Sequence, residues 1–225
     1  MAKRNAQGKS VLWVEKYRPQ TLSECLLPTT YRETFEGFIN RGEMPNLLLS
    51  GPTGIGKTSI VQALANDMQR DTITINSTTE SNLDTIRDRV IKFASTRGFG
   101  GEKAVIFDEA DFLNKVHSQP ALSRCIEQFI NCRYLLTCNE PDKIIPRLKS
   151  RLMEFDLNFT NDENLELVET YTDRACDILD REQITHLRGD VEEIVEYYFP
   201  DFRKTLNELH RSSVTGILLP LRTAA

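Results

Sequence analysis

The sequence contains no hydrophobic run approaching the ~18 residues that a membrane-spanning helix requires. We therefore expect a cytoplasmic protein with no membrane contact. Residues 1–11 are basic but no apolar stretch follows them, so a secretory signal is not expected and the segment is predicted to be a disordered tail. The chain also lacks internal repeats and low-complexity stretches, which excludes repeat architectures.

Closely spaced cysteine pairs are missing as well. The five cysteines form no CxxC motif, so a zinc site of the usual spacing is not expected. Without an export signal, free thiols in a reducing compartment are the simpler interpretation. The cysteines are Cys25, Cys125, Cys132, Cys138 and Cys176.

Acidic and basic residues are unevenly distributed along the chain. The formal net charge of the 225 residues is −5. Residues 156–196 contain thirteen acidic and three basic side chains, a net charge of −10, so the remainder carries +5. A mildly basic body can bind a polyanion beside an acidic region, but solvated helix faces produce the same asymmetry. Charge alone favours the solvated faces.

Short apolar runs alternate with helical patterns up to about residue 156. Several runs are almost entirely apolar, which is typical of parallel strands buried on both faces. The pattern predicts a doubly wound α/β domain with a five-stranded parallel sheet, followed by a small all-helical domain. The predicted strands are residues 46–50, 72–76, 104–107, 133–137 and 152–155, and the predicted helices are 57–69, 82–95, 118–130, one capped by Thr160 or Asn161, 190–198 and 201–211.

The clearest chemical signal is a phosphate-binding loop between an apolar strand and a helix, where phosphate binding requires it. Its glycines let backbone N–H groups turn towards phosphates, and the helix N-terminus favours anions. Lys57 is predicted to reach the β- and γ-phosphates, and the Thr58 hydroxyl to bind Mg²⁺. The loop, which fits GxxxxGK[ST], is Gly51, Pro52, Thr53, Gly54, Ile55, Gly56, Lys57 and Thr58.

A second apolar strand ends in two carboxylates. The apolar residues 105–107 lead into Asp108 and Glu109. Asp108 at the strand tip can hold Mg²⁺, and Glu109 can orient and polarise an attacking water. A charged strand end is common in isolation, but its place after a phosphate-binding loop favours the chemical interpretation. The intervening strand, residues 72–76, is typical of ATPases that use a catalytic glutamate.

Two further positions carry weaker signals. Asn139 ends an apolar strand, which in a doubly wound sheet would place it near the γ-phosphate, although turn geometry also favours Asn at strand ends. Arg151 follows Ser150 on a short loop and could stabilise charge on a phosphoryl group in a neighbouring subunit. As an isolated observation, an ordinary surface arginine is the better interpretation.

The predicted helix 82–95 could contact nucleic-acid phosphates. Its N-terminus and the basic residues Arg87, Arg89 and Lys92 could meet a phosphate backbone. Nothing in the sequence indicates base reading in a groove, so binding is expected to follow duplex shape. A solvated amphipathic helix is the alternative.

Together these motifs resemble clamp-loader small subunits of the replication factor C type. The segments 144–151 and 199–205 look most like the small subunit of T-even-type bacteriophages, whose proteins work in the cytoplasm of a bacterial host. The resemblance runs from about residue 12 to about residue 212. In the family's order the motifs are the entry motif Trp13-Val14-Glu15-Lys16-Tyr17-Arg18-Pro19, the phosphate-binding loop, the acid box Asp108-Glu109-Ala110-Asp111, the sensor 1 tip Thr137-Cys138-Asn139, the finger Ser150-Arg151 and the sensor 2 pair Phe202-Arg203.

The resemblance implies an AAA+ P-loop core and lid that bind ATP and Mg²⁺ at subunit interfaces. Copies of the chain and a different large subunit would form a pentameric ring that opens a sliding clamp and places it on primer–template DNA. In this pattern Arg151 acts in trans on a neighbour's γ-phosphate, and Arg203 contacts the phosphates in cis. Arg124 matches a second trans-acting residue, and Arg87 matches the helix that tracks DNA.

The resemblance also assigns residues around the base. Tyr17, Arg18 and Pro19 would lie near the adenine, and Ser59 would complete the phosphate-binding loop. The family's Ser-Arg-Cys motif reads Ser150, Arg151 and then leucine here. Since the cysteine is not chemically required, the arginine keeps its expected role.

The resemblance also predicts the domain limits. It gives a basic tail over 1–11, an AAA+ core over 12–157 and a helical lid over 158–213. Residues 214–225 are expected to form an atypical C-terminus, because they do not match the helical collar that follows the lid in the family.

Other functions would fit parts of the pattern. A non-hydrolysing AAA+ scaffold subunit usually loses the lysine, the acid pair or the finger, all of which are present here. A helicase of the DEAD type would need a second recombinase-like domain. A loader of the replicative helicase or an origin-binding initiator shares the AAA+ core, but the entry motif and the finger argue against both.

Overall fold

Five short strands form a single parallel sheet in this computed structural model, which describes residues 12–96 and 102–221. The strands are β1 (Leu47–Ser50), β2 (Asp71–Asn76), β3 (Lys103–Asp108), β4 (Cys132–Cys138) and β5 (Met153–Asp156). Their spatial order is β2-β3-β4-β1-β5, and every neighbouring pair is parallel. The predicted five-stranded parallel sheet is confirmed.

Helices cover both faces of this sheet. The helices of this part are α1 (Trp13–Lys16), α2 (Thr29–Arg41), α3 (Lys57–Asp67), α4 (Leu83–Thr85), α5 (Lys92–Ser95), α6 (Ser118–Gln128) and α7 (Pro146–Lys149). One apolar cluster joins Phe35 and Leu64 to the sheet, and another joins Leu122 to it on the opposite side. Because the central strands are buried on both faces, their sequences are almost continuously apolar.

Strand β4 lies between the strands that carry the two chemical motifs. Ser50 at the end of β1 is in register with Cys138 at the end of β4. Phe107, next to the end of β3, is in register with Leu136 of β4. The carboxyl ends of β1, β3 and β4 therefore meet at one edge, which is where open α/β sheets bind ligands.

Within the described residues, three helices follow the sheet and supply most of a second apolar core. They are α8 (Asn161–Arg181), α9 (Arg188–Tyr198) and α10 (Phe202–Ser212). Thr160 caps α8 in a capping box with Glu163, and Asp201 caps α10, as predicted for that residue. The predicted all-helical region is thus confirmed. Within the described residues, no helix combines the length and the apolar character needed to cross a membrane.

The entry motif and the chain after α10 both pack onto this helical region. Trp13 of α1 is buried in the helical core and stacks on His210 of α10, with ring centroids 4.7 Å apart. Leu218 is buried in the same core, and its N–H donates to Thr185 O at 2.9 Å. The predicted domain limits, which assign residue 13 to the AAA+ core, stay a prediction. The apolar contacts of Trp13 are with the helical region.

The segment between β2 and β3 forms one helical stretch with a change of winding. α4 continues as a π-helix over Ile86–Ile91 and then as α5. Ile86 and Val90 point into the core under the sheet. Arg89 and Lys92 lie on the exposed side, whereas the side chain of Arg87 lies outside what the structure describes.

Candidate nucleotide-binding site

The loop between β1 and α3 encloses the amine of Lys57. Lys57 Nζ donates to Gly51 O and Pro52 O at 2.9 Å each, and to Asn139 Oδ1 at 2.8 Å. The side chain is buried, and desolvation lowers the pKa of its ammonium, while the nearby carboxylates oppose that shift. Three oxygen acceptors thus fix the amine, and a phosphate oxygen could take the place of one of them.

The first turn of α10 lies directly against this loop. A Cβ on Gly54 would come 2.0 Å from Asp201 Oδ1. The backbone of Gly54 is also left-handed, with φ = 85°. Position 54 therefore needs glycine both for space and for conformation. Because Asp201 caps α10, this contact brings Phe202 and Arg203 to the wall of the same cavity.

Hydroxyl groups hold the carboxylate at the end of β3. Asp108 Oδ1 accepts from Thr58 Oγ1 at 2.6 Å and from Thr137 Oγ1 at 2.7 Å. The Thr137 oxygen also accepts from the backbone N–H of Glu109 at 3.1 Å. Glu109 has a left-handed backbone conformation with φ = 55°. The residue is half-buried and lines the cavity. Thr137 therefore fixes both acidic residues, a role that the sequence analysis did not assign to it.

Replacing Thr137 by valine tests this arrangement. Thr137→Val keeps the shape but leaves the partly buried Glu109 N–H without its acceptor and Asp108 without one donor. We expect the free energy of unfolding to fall by about 1–3 kcal/mol, measured by urea denaturation. The matched control, Thr74→Val at an exposed position of β2, is expected to change it by less than about 0.5 kcal/mol. Equal effects of the two changes would contradict the role of Thr137.

Asn139 is oriented by a carboxylate that lies behind it. Asp111 is 7% exposed, and its Oδ2 accepts from the backbone N–H groups of Asn139 and Glu140 at 3.3 Å each. Asn139 lies between Lys57 and the end of β3, as predicted from the order of a doubly wound sheet. Asp111 belongs to the acid box, but its contact with this turn depends on two separate loops and was not predicted.

A cavity of about 470 Å³ extends from the loop to the helical region. At one end lie the loop residues from Thr53 to Ser59, together with Asp108, Glu109 and Asn139. The other end is largely apolar. The predicted base-binding residues Tyr17, Arg18 and Pro19 line it. So do residues for which the sequence predicted no role at the nucleotide, namely Val14, Cys25, Leu26, Tyr171, Arg174, Ile178 and Leu206.

The entry motif is fixed at this apolar end by helix α8. Lys16 and Tyr17 both donate to Glu182 Oε1, the tyrosine hydroxyl at a distance of 2.5 Å. Arg174 Nη2 donates to Tyr17 O at 3.3 Å. Arg18 pairs with Glu15 at 3.0 Å on the exposed side. No local sequence pattern identifies these contacts, since residues 16–17 and 174–182 are far apart in the chain.

The predicted trans-acting arginines do not line this cavity. Arg151 Nε donates to Glu127 Oε1 at 2.8 Å, and Nη1 donates to Ser150 Oγ at 3.2 Å. Its hydrogen bond to Glu127 holds the pKa of that carboxyl below its usual range. Arg124 lies on the exposed side of α6, one turn before Glu127. Both arginines are therefore on an outer face, away from their own chain's phosphate loop.

Two of the basic residues proposed for DNA, Arg89 and Lys92, do not line the cavity. Arg89 forms an ion pair with Glu80, and both side chains are substantially exposed. Lys92 is exposed and, within the described residues, forms no ion pair. The third predicted residue, Arg87, has a side chain outside the described set. The structure thus leaves Lys92 as a basic side chain open to solvent on this helix.

The cysteines near the cavity have no nucleophilic character. All five thiols are free, and four are buried. Burial raises the pKa of Cys25 and of Cys138 to about 12. Both thiols therefore stay protonated at neutral pH and act as apolar packing.

Known proteins resemble this chain in sequence and in fold. The profile of the ATPase family associated with various cellular activities (AAA) matches residues 47–161. The RuvB Holliday junction branch migration motor of Thermotoga maritima superposes with a TM-score of 0.66 at 21% identity, over 87% of this chain and 64% of that one. At that identity the superposition shows the fold alone.

Curated relatives cover nearly the whole chain. The replication factor C small subunit of Methanococcus maripaludis (strain S2) is 36% identical over 212 residues, which is 91% of this chain and 65% of that protein. The sliding-clamp-loader large subunit of Enterobacteria phage T4 is 34% identical over 209 residues, which is 91% of this chain and 65% of that protein. Human replication factor C subunit 5 is 34% identical over 215 residues, which is 92% of this chain and 61% of that protein.

These matches confirm the predicted resemblance to replication factor C small subunits. The phage relative carries the name of a large subunit, whereas the sequence analysis expected a phage small subunit. The chain spans less than two thirds of the length of these relatives.

Proposed function

This chain belongs to the ATPase family associated with various cellular activities (AAA), and we propose that it binds and hydrolyses ATP as one subunit of a sliding-clamp loader. The observation that carries the proposal is the convergence of three strand ends on one cavity. Lys57, Asp108 and Glu109 all line that cavity, together with Asn139. The relatives named as clamp-loader and replication factor C subunits supply the biological setting.

The phosphate end of the cavity supports hydrolysis. Lys57 would bind the β- and γ-phosphates, and the N-terminus of α3 adds N–H donors. Glu109 would accept a hydrogen bond from the attacking water and hold it in line. Asn139, hydrogen-bonded to Lys57, would orient the same water or the γ-phosphate. A non-hydrolysing scaffold would not need all of these groups in one place.

Magnesium fits the oxygen groups beside the loop. Thr58 Oγ1 and Asp108 Oδ1 lie 2.6 Å apart, and both are the hard oxygen ligands that Mg²⁺ prefers. These two residues would hold the ion, Asp108 through water. When bound, the ion would supply positive charge that neutralises the phosphate oxygens.

The helical region would close over the nucleotide from the other side. Tyr17, Arg18 and Pro19 would frame the base, and Arg203 at the start of α10 would contact the phosphates of the same chain. The contact between Asp201 and Gly54 supports this role, because it places the start of α10 beside the phosphate loop. Nucleotide binding would therefore be coupled to the position of the helical region.

Arg151 and Arg124 would act on a neighbouring subunit. Their place on an outer face supports a trans role, since neither lines the cavity of its own chain. A ring would bring this face against the next phosphate loop. We propose a pentamer formed by copies of this chain and one different subunit. Arg151 would then exchange Glu127 for a phosphate oxygen, which matches the fork of its guanidinium.

DNA and the clamp would be the partners of the assembled ring. Lys92, Arg89 and Arg87 on helix 83–95 would face the phosphate backbone of primer–template DNA and bind without base preference. The cytoplasmic location belongs to the same proposal, and in a phage it would be the cytoplasm of the bacterial host.

The test is steady-state ATP hydrolysis with the sliding clamp, with primer–template DNA, with both and with neither. We expect both together to raise the rate well above the effect of either alone. Arg151→Ala is expected to keep ATP binding and to lose the stimulated rate, because its neighbour lacks the trans charge. Glu127→Gln, which neutralises the resting partner of Arg151 but leaves the arginine itself unchanged, serves as the matched control and should keep the stimulation.

A rate of ATP hydrolysis that neither the clamp nor DNA changes would contradict clamp loading but would agree with the proposed ATPase activity. An Arg151→Ala protein that keeps full stimulation would contradict the trans role alone. Preparations of Lys57→Ala define the background from contaminating ATPases in every condition.

A further inference from the structure

The apolar end of the cavity contains one cation whose role the motifs do not explain. Arg174 lies on α8 between Tyr171 and Ile178, at the spacing i, i+3 and i+7 that defines one helix face. All three residues line the cavity, and the tyrosine and the isoleucine are buried. The guanidinium therefore lies on the cavity-facing side of α8.

Arg174 lacks an acidic partner. Within the described residues no carboxylate forms an ion pair with it, and its hydrogen bond goes to the backbone carbonyl of Tyr17 at 3.3 Å. Burial lowers the pKa of the guanidinium, and the charge of Glu24 opposes that shift without forming an ion pair with Arg174 within the described residues. A guanidinium has five N–H donors and stays charged in proteins, so most of its hydrogen-bonding capacity remains for a ligand.

The other cations at the cavity are accounted for. Lys57 has three oxygen acceptors at the phosphate end. Arg18 pairs with Glu15 on the exposed side. Arg203 is exposed beside the phosphate loop. Arg174 is instead surrounded by Tyr17, Cys25 and the apolar residues that form the opposite end.

We propose that Arg174 is a base-recognition residue, which donates a hydrogen bond to an acceptor nitrogen of the purine ring. This inference rests on the proposed nucleotide site and adds a specificity residue to it. A purine offers ring acceptors at N1, N3 and N7, and only a donor can read them. A lone donor in a desolvated pocket discriminates strongly, because the wrong ligand leaves it unpaired.

The experiment measures the affinity of the full chain for ATP and for three analogues, 1-deaza-ATP, 3-deaza-ATP and 7-deaza-ATP. Each analogue replaces one ring nitrogen by C–H and leaves the phosphates unchanged. We expect the wild type to bind one of the three roughly tenfold more weakly than ATP, as expected for a hydrogen bond to a charged donor. The other two should bind within about twofold of ATP.

Variants then assign the effect to the side chain. Arg174→Met keeps a long stem without donors, and is expected to bind ATP roughly tenfold more weakly with no further loss for the discriminated analogue. Arg181→Gln, an exposed arginine on the same helix, is the matched control and should behave as the wild type. Thermal unfolding of each variant separates binding effects from loss of fold.

Two results would overturn the inference. If the wild-type protein binds all three analogues as tightly as ATP, no protein donor forms a hydrogen bond with a ring nitrogen. That result would contradict the inference regardless of the affinity of Arg174→Met. An Arg174→Met protein that loses affinity equally for ATP and every analogue would show that the side chain only fixes the backbone of Tyr17. Wild-type protein that binds no ATP would instead contradict the proposed function itself.

Discussion

Lys57→Ala is expected to weaken ATP binding by at least ~100-fold and to abolish hydrolysis. The change removes the charge-assisted hydrogen bonds of the ammonium to two phosphates, each about 1.5–3 kcal/mol. It also removes the three bonds by which Lys57 joins Gly51, Pro52 and Asn139. Equilibrium binding of a fluorescent ATP analogue measures the affinity, and phosphate release measures the hydrolysis.

The matched control for this change is Lys115→Ala. Lys115 is exposed on the loop before α6 and lies away from the cavity. Its loss is expected to leave affinity and turnover within about twofold of the wild type. Tight ATP binding by Lys57→Ala would show that the loop between β1 and α3 does not bind the phosphates.

Glu109→Gln is expected to lower the hydrolysis rate by at least ~100-fold while ATP affinity stays within about twofold. General-base catalysis contributes about 10²–10⁴-fold, and an amide cannot take a proton from water. The side chain is replaced without disturbing the site, because the contact that positions residue 109 is its backbone N–H to Thr137 Oγ1. Single-turnover hydrolysis and equilibrium binding, measured on the same preparation, separate the two effects.

Glu140→Gln provides the comparison for that result. Glu140 lies on the loop beside the cavity, where it forms an exposed ion pair with Lys143. Neutralising it changes the local charge by the same amount but leaves the water-binding position intact. Should Glu109→Gln lose ATP binding as strongly as it loses hydrolysis, its carboxylate would be a ligand-binding group and not the base.

The acid pair that contains Glu109 follows from the local sequence. Asp108 and Glu109 follow an apolar run, and a strand that ends in charge must end where the sheet meets solvent or a ligand. The parallel sheet then brings that end beside the loop after β1, since the carboxyl ends of parallel strands share one edge. The acid pair was therefore predictable from patterns within a few residues.

The arrangement of the supporting groups was not predictable in this way. Asp111 orients the turn at Asn139, and Glu127 binds Arg151, through side chains that meet across separate loops. Glutamate and aspartate on a helix or a short turn are usually solvated, so their sequence pattern carries no signal. Packing of the turn 110–112 against β4 brings Asp111 to Asn139, and packing of α6 against α7 brings Glu127 to Arg151.

The sequence by itself determined the phosphate loop, the acid pair and the α/β pattern, because each depends on contiguous residues with fixed backbone geometry. Tertiary structure alone decided that Thr137 fixes both acids, that Gly54 contacts Asp201, and that Arg174 enters the cavity. Those contacts join residues 28 to 157 positions apart. Their geometry depends on strand register and on the packing of the helical region, which no local spacing encodes.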